Sequence, residues 1–339
     1  MSNVLVTGGL GFVGSHTVVE LGRAGYTPVI IDDLSNSSAD ARVNIEKLIG
    51  RPLDVRISDF ADVSVLRALM SEYEFSSVIH FAGLKSVPES HADPLRYFDV
   101  NVARTVQLLD SMDEAGISDF VFSSSATVYG DSAEVPFAET STLPKASSPY
   151  GLTKRVVEQL CEVWVAEAAS EKSAIMLRYF NPVGADPSGE LGEAPQGVPS
   201  NLLPFVADVA AGARSFVSVY GTDYPTRDGS GIRDYIHVCD LARGHVSAVL
   251  FARENRGYEV INLGSGVGSS VLEIIDLYEV VSGRKIKRVK AGRREGDVAI
   301  SLANIEKAKK LLGWSPHFDL KEICEHSWRW RNTGFGRGK

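Results

Sequence analysis

The chain has 339 residues, long enough to bury a large core as one extended α/β unit or as two associated lobes. With 44% hydrophobic and 23% charged residues, its composition excludes a disordered or fibrous protein. A formal net charge of −8 argues against a general nucleic-acid or anionic-membrane binder, so an anionic ligand would need local positive groups.

The opening "MSNVLVTGGLGFVG" has no basic region ahead of a long apolar run, and no stretch reaches the ~18 apolar residues that span a bilayer. A cytoplasmic protein without membrane contact is the expectation. Cys161, Cys239 and Cys324 are far apart and lack metal-ligand spacing, so they read as reduced thiols and no metal is expected.

β-rich runs at 3–8, 27–32, 53–58, 77–83, 119–125 and 173–179 alternate with helical patterns at 12–24, 62–73, 94–115 and 150–169. That alternation predicts an α/β fold, a Rossmann-type doubly wound parallel sheet, with ligands at the carboxyl ends of its strands. Between the first strand and helix lie Gly8, Gly11 and Gly14, where side chains would block a tight turn, a pyrophosphate and the helix–strand contact. Asp32 ends the second strand, where a ribose-binding carboxylate belongs. It repels a 2′-phosphate, and no arginine follows at once, so NAD is favoured over NADP. Phe12 and Val13 in the turn, and Asp33, Leu34, Asn36 and Ser37 after Asp32, complete this side of the expected cofactor site. Asp59 and Phe60 follow the third strand; Phe81, Ala82, Gly83 and Lys85 follow the fourth, where adenine and the rest of the cofactor pass. Phe81 and Ala82 read equally well as core.

The segment "SSPYGLTKRVVEQL" sets Tyr150 four residues before Lys154, neighbours on one helix face. A fixed cation favours the phenolate, which otherwise forms only near pH 10. A solvated surface pair is the alternative reading of these two residues alone. "FSSSATVYG" ends the fifth strand and brings Ser125 to its carboxyl end, beside the same helix. After "RYFNPVG" the pattern changes: residues 184–235 are rich in Gly, Pro, Asp and Ser, with one helix near "LLPFVADVAAG", and a strand at 258–264 rejoins the sheet. The domain reading is therefore a nucleotide-binding domain over 1–180, rejoined by about 231–264, and a smaller, discontinuous C-terminal substrate-binding lobe over 181–230 and 265–339.

On "VTGGLGFVGSHT" and "SPYGLTK" the chain resembles the extended short-chain dehydrogenase/reductase family. "VIHFAGLKSVPES", "FSSSATVYGD", "LRYFNPVGA", "NLLPFVADVA", "GTDYPTRDGSGIRDYIHVCDLA", "NLGSGVGSSVLEI" and "RREGD" are more specific and resemble members acting on UDP-sugars, so the likeness covers nearly the whole chain. It implies an isomerase that interconverts UDP-glucose and UDP-galactose by C4 epimerisation, through a 4-keto intermediate with transient hydride transfer to bound NAD.

In that reading Tyr150 is the general acid/base, Lys154 lowers its pKa and holds the nicotinamide ribose, and Ser125, followed by Ala126 and Thr127, bonds the reacting hydroxyl. Family members that eliminate water usually carry an Asp-Glu pair after a threonine at the Ser125 position; this chain has neither acid. The resemblance makes Arg233 and Arg294 diphosphate clamps, a task suited to a planar cation. It sets Asp297 on the uridine ribose, Asn181, Asn201 and Leu202 on sugar and diphosphate, and Ser218, Val219 and Tyr220 at the uracil edge. Lys85 and Phe180 meet sugar and nicotinamide. Ser301 stands where a tyrosine would narrow the sugar pocket, so UDP-GlcNAc and UDP-GalNAc are expected as a further pair. Val100 departs from a cofactor-contacting asparagine of some members and Asn101 follows it; neither is placed in the site. The histidines read as structural, with His16 capping or packing beside the cofactor, and the C-terminus reads as a closing helix with a frayed tail. By analogy 94–115 and 150–169 pair two subunits as a homodimer. The rival functions are a UDP-sugar 4-reductase or dehydrogenase, and a sensor of NAD or nucleotide sugar that does not catalyse.

Overall fold

The structure, a computed structural model, describes residues 2–130, 134–166, 171–194, 199, 201–294 and 296–333. Its first half runs β1 (Asn3–Thr7), α1 (Phe12–Arg23), β2 (Thr27–Asp32), α2 (Asp40–Ile49), β3 (Asp54–Ile57), α3 (Val63–Glu72), β4 (Phe75–His80), α4 (Val87–Ala92), α5 (Pro94–Phe98), α6 (Arg104–Glu114), β5 (Asp119–Ser125), α7 (Pro149–Ala166) and β6 (Ser173–Tyr179). The second runs β7 (Asn181–Val183), α8 (Leu202–Ala210), β8 (Val217–Tyr220), β9 (Ile232–His237), α9 (Val238–Glu254), β10 (Gly257–Leu263), β11 (Gly268–Ser270), α10 (Val271–Ser282), β12 (Arg288–Ala291), β13 (Ile300–Ser301), α11 (Glu306–Leu312) and α12 (Leu320–Asn332).

Seven strands form one parallel sheet in the order β10-β6-β5-β4-β1-β2-β3. Parallel strands are covered on both faces, which explains their near-continuous apolar sequence. Val4, Val6, Ile30 and Ile79 pack on one face with Val18 of α1 and Leu241 and Val249 of α9. Leu5, Val29, Ile31 and Phe120 pack on the other with Leu66 of α3, Leu108 of α6 and Val157 of α7. The sequence pattern does not flag α9, because Asp240, Gly244 and His245 are buried along it and mask its apolar stripe.

The single helix expected over 94–115 is interrupted. A π-helical turn at Asp99–Ala103 separates α5 from α6 and carries the buried Asn101. Its side chain accepts from Leu84 N at 2.8 Å and donates to Leu84 O at 2.9 Å and Thr153 Oγ1 at 3.1 Å. Such wider turns are frequent at functional sites.

In the smaller lobe β9 pairs with β7, β11 and β13, and β8 with β12. The chain next enters the large sheet at β10, which pairs with β6. Val206, Val217, Ile275 and Tyr278 gather the small core. The closing helix is α12, capped by Asp319; the expected frayed tail at 334–339 lies outside the described residues. Among the described residues no helix is long and apolar enough to cross a membrane.

Candidate active site

Strand order reverses between β1 and β4, the point where sheets of this kind leave a crevice at their carboxyl ends. Gly8 lies there with φ of +69°, and a Cβ on it would sit 2.8 Å from Ala82 N. A Cβ on Gly14 would stand 2.3 Å from Gly8 O, so α1 can approach the loop only as glycine. No side chain caps α1 and its first turn has no acid, which leaves the N–H groups of Phe12, Val13 and Gly14 for an anion. Gly11 N donates to Gly8 O at 3.2 Å and closes the turn.

Asp32 is buried and accepts from Leu10 N at 2.9 Å, Leu34 N at 3.0 Å and Ser37 Oγ at 2.6 Å. Three donors fix the carboxylate at the end of β2. Asp33 and Asn36 are exposed in the following loop. Asp59 pairs with Arg104, while Phe60 is buried against the His80 ring at 4.8 Å. Phe81 is half-buried on the His245 ring at 4.7 Å, and Lys85 is exposed. A Cβ on Gly83 would lie 2.8 Å from Asn101 Oδ1, so the loop of Phe81, Ala82 and Gly83 is tied to the π turn. Asn101, left out by the sequence reading, is the tie between this loop and α7.

His80 is a structural link. Thr105 Oγ1 donates to Asn101 O and so accepts from His80 Nε2 at 3.0 Å; His80 Nδ1 then accepts from Thr7 Oγ1 at 2.6 Å. Burial and the nearby Lys154 push its pKa down to about 3. His16 does not cap the cofactor turn, since its Nδ1 donates to Phe12 O at 2.7 Å from within α1.

Ser125 at the end of β5 accepts from Thr127 N at 3.2 Å and Thr127 Oγ1 at 3.0 Å, and its hydroxyl is near enough to Tyr150, at the start of α7, to pull that phenol's pKa down. Lys154 Nζ donates to Ser123 O at 2.8 Å, 4.6 Å from the Phe122 ring centroid and 5.8 Å from that of Tyr150. The three residues converge as expected, but the electrostatics differ from the expectation that Lys154 depresses the phenol. Desolvation pushes Tyr150 up to about 12, against the pull of the Ser125 hydrogen bond. Lys154 is itself brought down to about 8 by burial, with Glu158 opposing. In the protein alone, burial dominates both groups.

Phe180 is buried among the rings of Tyr129 and Phe137, and Asn181 follows it in β7. Asn201 precedes α8 and donates its amide to Glu193 Oε1 at 2.6 Å. Glu193 was not among the expected residues; desolvation raises its pKa, while Lys85 and Asn201 oppose. Leu202 is half-buried beside it. In β8, Val219 turns its side chain into the small core, which leaves its backbone alone for a ligand, whereas Tyr220 is exposed under the Arg294 guanidinium at 3.9 Å. Ser218, just before Val219, is half-buried. Arg233 donates to Ile232 O at 2.8 Å and pairs with Asp297. Ser301 lies half-buried opposite Arg233 in the β13–β9 register. Among the described residues no cluster of three or more His, Cys, Asp and Glu side chains could hold a metal ion.

A glycine cradle under an uncapped helix, with a fixed carboxylate one strand away, fits the pyrophosphate and ribose of a dinucleotide and defines a nucleotide-dependent enzyme of the dehydrogenase type. Residues 4–264 match the NAD dependent epimerase/dehydratase family, and the chain belongs to that family. It is 47% identical over 330 residues to the UDP-glucose 4-epimerase of Bacillus subtilis strain 168, covering 97% of each chain. To the Homo sapiens UDP-glucose 4-epimerase it is 45% identical over 342 residues, 98% of each. Among solved structures, UDP-glucose 4-epimerase from Stenotrophomonas maltophila with NAD and formylated UDP-arabinopyranose superposes with a TM-score of 0.95 at 46% identity, covering 98% of both chains. The enzyme from Bifidobacterium longum in complex with NAD+ and UDP gives 0.93 at 43%, covering 97% of this chain and 98% of that one.

Proposed function

We propose that the protein interconverts UDP-glucose and UDP-galactose by inverting C4, with NAD as its cofactor. The observation that carries this reading is the meeting of Ser125, Tyr150 and Lys154 at the carboxyl end of β5, beside the dinucleotide cradle. Near-full-length identity of 45–47% to UDP-glucose 4-epimerases supports it.

Gly8, Gly11 and Gly14 with the α1 N–H groups would hold the pyrophosphate, and Asp32 the adenosine ribose. When bound, NAD+ would supply a hydride acceptor that returns what it takes, and its positive charge would favour the Tyr150 phenolate. The phenolate oxygen of Tyr150 takes the proton from the C4 hydroxyl, and Ser125 orients that hydroxyl. The Lys154 ammonium, fixed on Ser123 O, stabilises the phenolate as it forms. Arg233 and Arg294 hold the diphosphate while the 4-keto sugar turns over its other face, and Tyr150 then returns the proton to the C4 oxygen, the inversion at C4 coming from the face that the turned sugar presents. No carboxylate follows Ser125 at positions 126 and 127, so elimination has no base there.

The test is incubation of the purified protein with UDP-galactose and chromatographic separation of the epimers. Tyr150→Phe should lower kcat by about 10²- to 10⁴-fold while NAD and UDP still bind. A variant that keeps its turnover defeats the reading, and stoichiometric release of NADH would favour a reductase.

The small Ser301 beside Arg233, with the Asn201 amide engaged by Glu193, supports UDP-GlcNAc and UDP-GalNAc as a second substrate pair. Ser301→Tyr should cut turnover of that pair at least about tenfold and leave the smaller pair near wild type. Exposed Leu95 and Val106, and Leu152 and Val163 on α7, support a homodimer joined through these helices. Three buried, unpaired cysteines suit a reducing cytoplasm.

A further inference from the structure

Three consecutive residues of β5 each hold a successive turn of α7. Ser125 faces Tyr150 and pulls its pKa down, the Ser123 carbonyl accepts from Lys154, and Ser124 Oγ donates to Glu158 Oε1 at 2.6 Å. Tyr150, Lys154 and Glu158 are spaced by four and stack along one helix face. Glu158 is 3% exposed and its partner Arg178 4%. Arg178 grips it bidentately, Nε to Oε1 at 2.8 Å and Nη2 to Oε2 at 2.6 Å. The arginine lies 4.9 Å over the Tyr129 ring, whose hydroxyl donates to Asn262 Oδ1 at 2.7 Å. Asn262 in turn donates to Phe137 O at 2.9 Å. The frame is therefore closed from α7 through β6 to β10.

We infer that Glu158, fixed between Ser124 and Arg178, is a positioning residue that keeps Lys154 a cation against β5 and so sets the pH range in which Tyr150 works. The inference rests on the reading of Tyr150 as acid/base.

A buried ammonium resting on one carbonyl and an aromatic face is poorly solvated, and desolvation takes Lys154 down to about 8. Glu158, one turn away, acts against that fall. The other titratable groups around Lys154 give no such help. His80 on β4 is neutral, with a pKa near 3, and is itself depressed by Lys154. Tyr150 on α7 and Tyr179 on β6, whose hydroxyl donates to Ser123 Oγ, are both raised by burial and neutral. Arg178 on β6 is a second cation: burial would lower its pKa, but the hydrogen bonds and charge of Glu158 outweigh that and raise it. Around Glu158 stand Arg155 and Cys161 of its own helix and Tyr258 of β10; burial lowers the first and raises the other two. A pair present only for stability could be exchanged for apolar residues with little consequence for Lys154. Here the carboxylate belongs to the same stack as the catalytic pair.

The experiment compares kcat/KM against pH, and Tm, for NAD-loaded wild type, Glu158→Gln and the double variant Glu158→Gln with Arg178→Met. Glutamine keeps the length and the Ser124 bond but leaves Arg178 and Lys154 as two uncompensated cations. The alkaline limb should move down by about one pH unit in the single variant. In the double variant, which removes the extra cation as well, it should move less but still downward. A limb that stays in place while Tm falls means a structural role and overturns the inference. If the single variant yields no folded protein, an unmoved limb in the double variant overturns it equally. Failure of the parent reading looks different, because Tyr150→Phe would then retain turnover.

Discussion

Asp32 in the sheet lobe and Arg233 in the smaller lobe are both charged and both expected to touch ligand, yet they are held by different means. Two backbone N–H groups and a serine hydroxyl of the surrounding loops fix Asp32. Arg233 is held by Asp297, itself an expected ligand contact, and Arg294 rests on Tyr220, another. The cofactor side is thus organised largely by main chain, with the Ser37 hydroxyl as a side-chain donor to Asp32. On the substrate side the binding groups serve as one another's partners, so a diphosphate must compete with an internal carboxylate for Arg233. The contrast suits a cofactor that stays through each cycle and a sugar nucleotide that enters, turns and leaves.

Removing Arg233 tests the contrast most severely. Arg233→Met should raise KM for UDP-galactose by about 10- to 100-fold, as expected for a lost charged hydrogen bond, and leave the NAD content of the purified protein unchanged. Loss of NAD as well would show that the two sides are not separately organised. Asp297 is the control within the same experiment, since its uncompensated carboxylate should then repel the diphosphate and add to the rise in KM.

How much of this was legible in the sequence follows the same division. The glycine turn, Asp32 and the Tyr150–Lys154 spacing are local patterns with a fixed geometric meaning, and six strands fell where β-rich runs stood. The binding side could be reached through family resemblance alone, because Arg233, Arg294 and Asp297 are brought together by pairings such as β9 with β13 that join distant segments. Val219 shows the limit of transferring a residue by motif, since strand alternation turns its side chain inward. Glu158 and Arg178 had a readable signal: an acid one turn beyond Lys154 on the same face, and an arginine inside the apolar run "AIMLRY". Asn101 stood beside the family's asparagine position and was still left out, because nothing in the 94–115 pattern announces the π turn that buries it. The elevated phenol was beyond sequence reasoning too, since helix spacing reports which groups are near and says nothing of how much water remains.

The smallest expected effect concerns acid stability and sharpens the comparison from the sheet side. Burial depresses His245 to about 4, His80 to about 3 and His237, at the junction of β9 and α9, to about 2. Each is neutral when folded, whereas the unfolded chain takes a proton near pH 6.5. Between 6.5 and the folded value the unfolded state therefore binds more protons, and stability falls as pH falls. Stability linked to His245 is intact above pH 6.5 and lost progressively toward pH 4. His245 packs on Phe81 at 4.7 Å and Tyr179 at 5.5 Å, its Nδ1 donates to Leu241 O at 2.9 Å, and its Nε2 lacks a hydrogen-bond partner among the described residues, so phenylalanine can replace it within an aromatic stack at the loss of one hydrogen bond. His245→Phe should reduce the slope of unfolding free energy against pH between 5 and 6 by about one proton, ~1.4 kcal/mol per pH unit, read from urea unfolding at several pH values. An unchanged slope would mean that His245 already carries its proton in the folded state, and that the floor beneath Phe81 is charged rather than neutral.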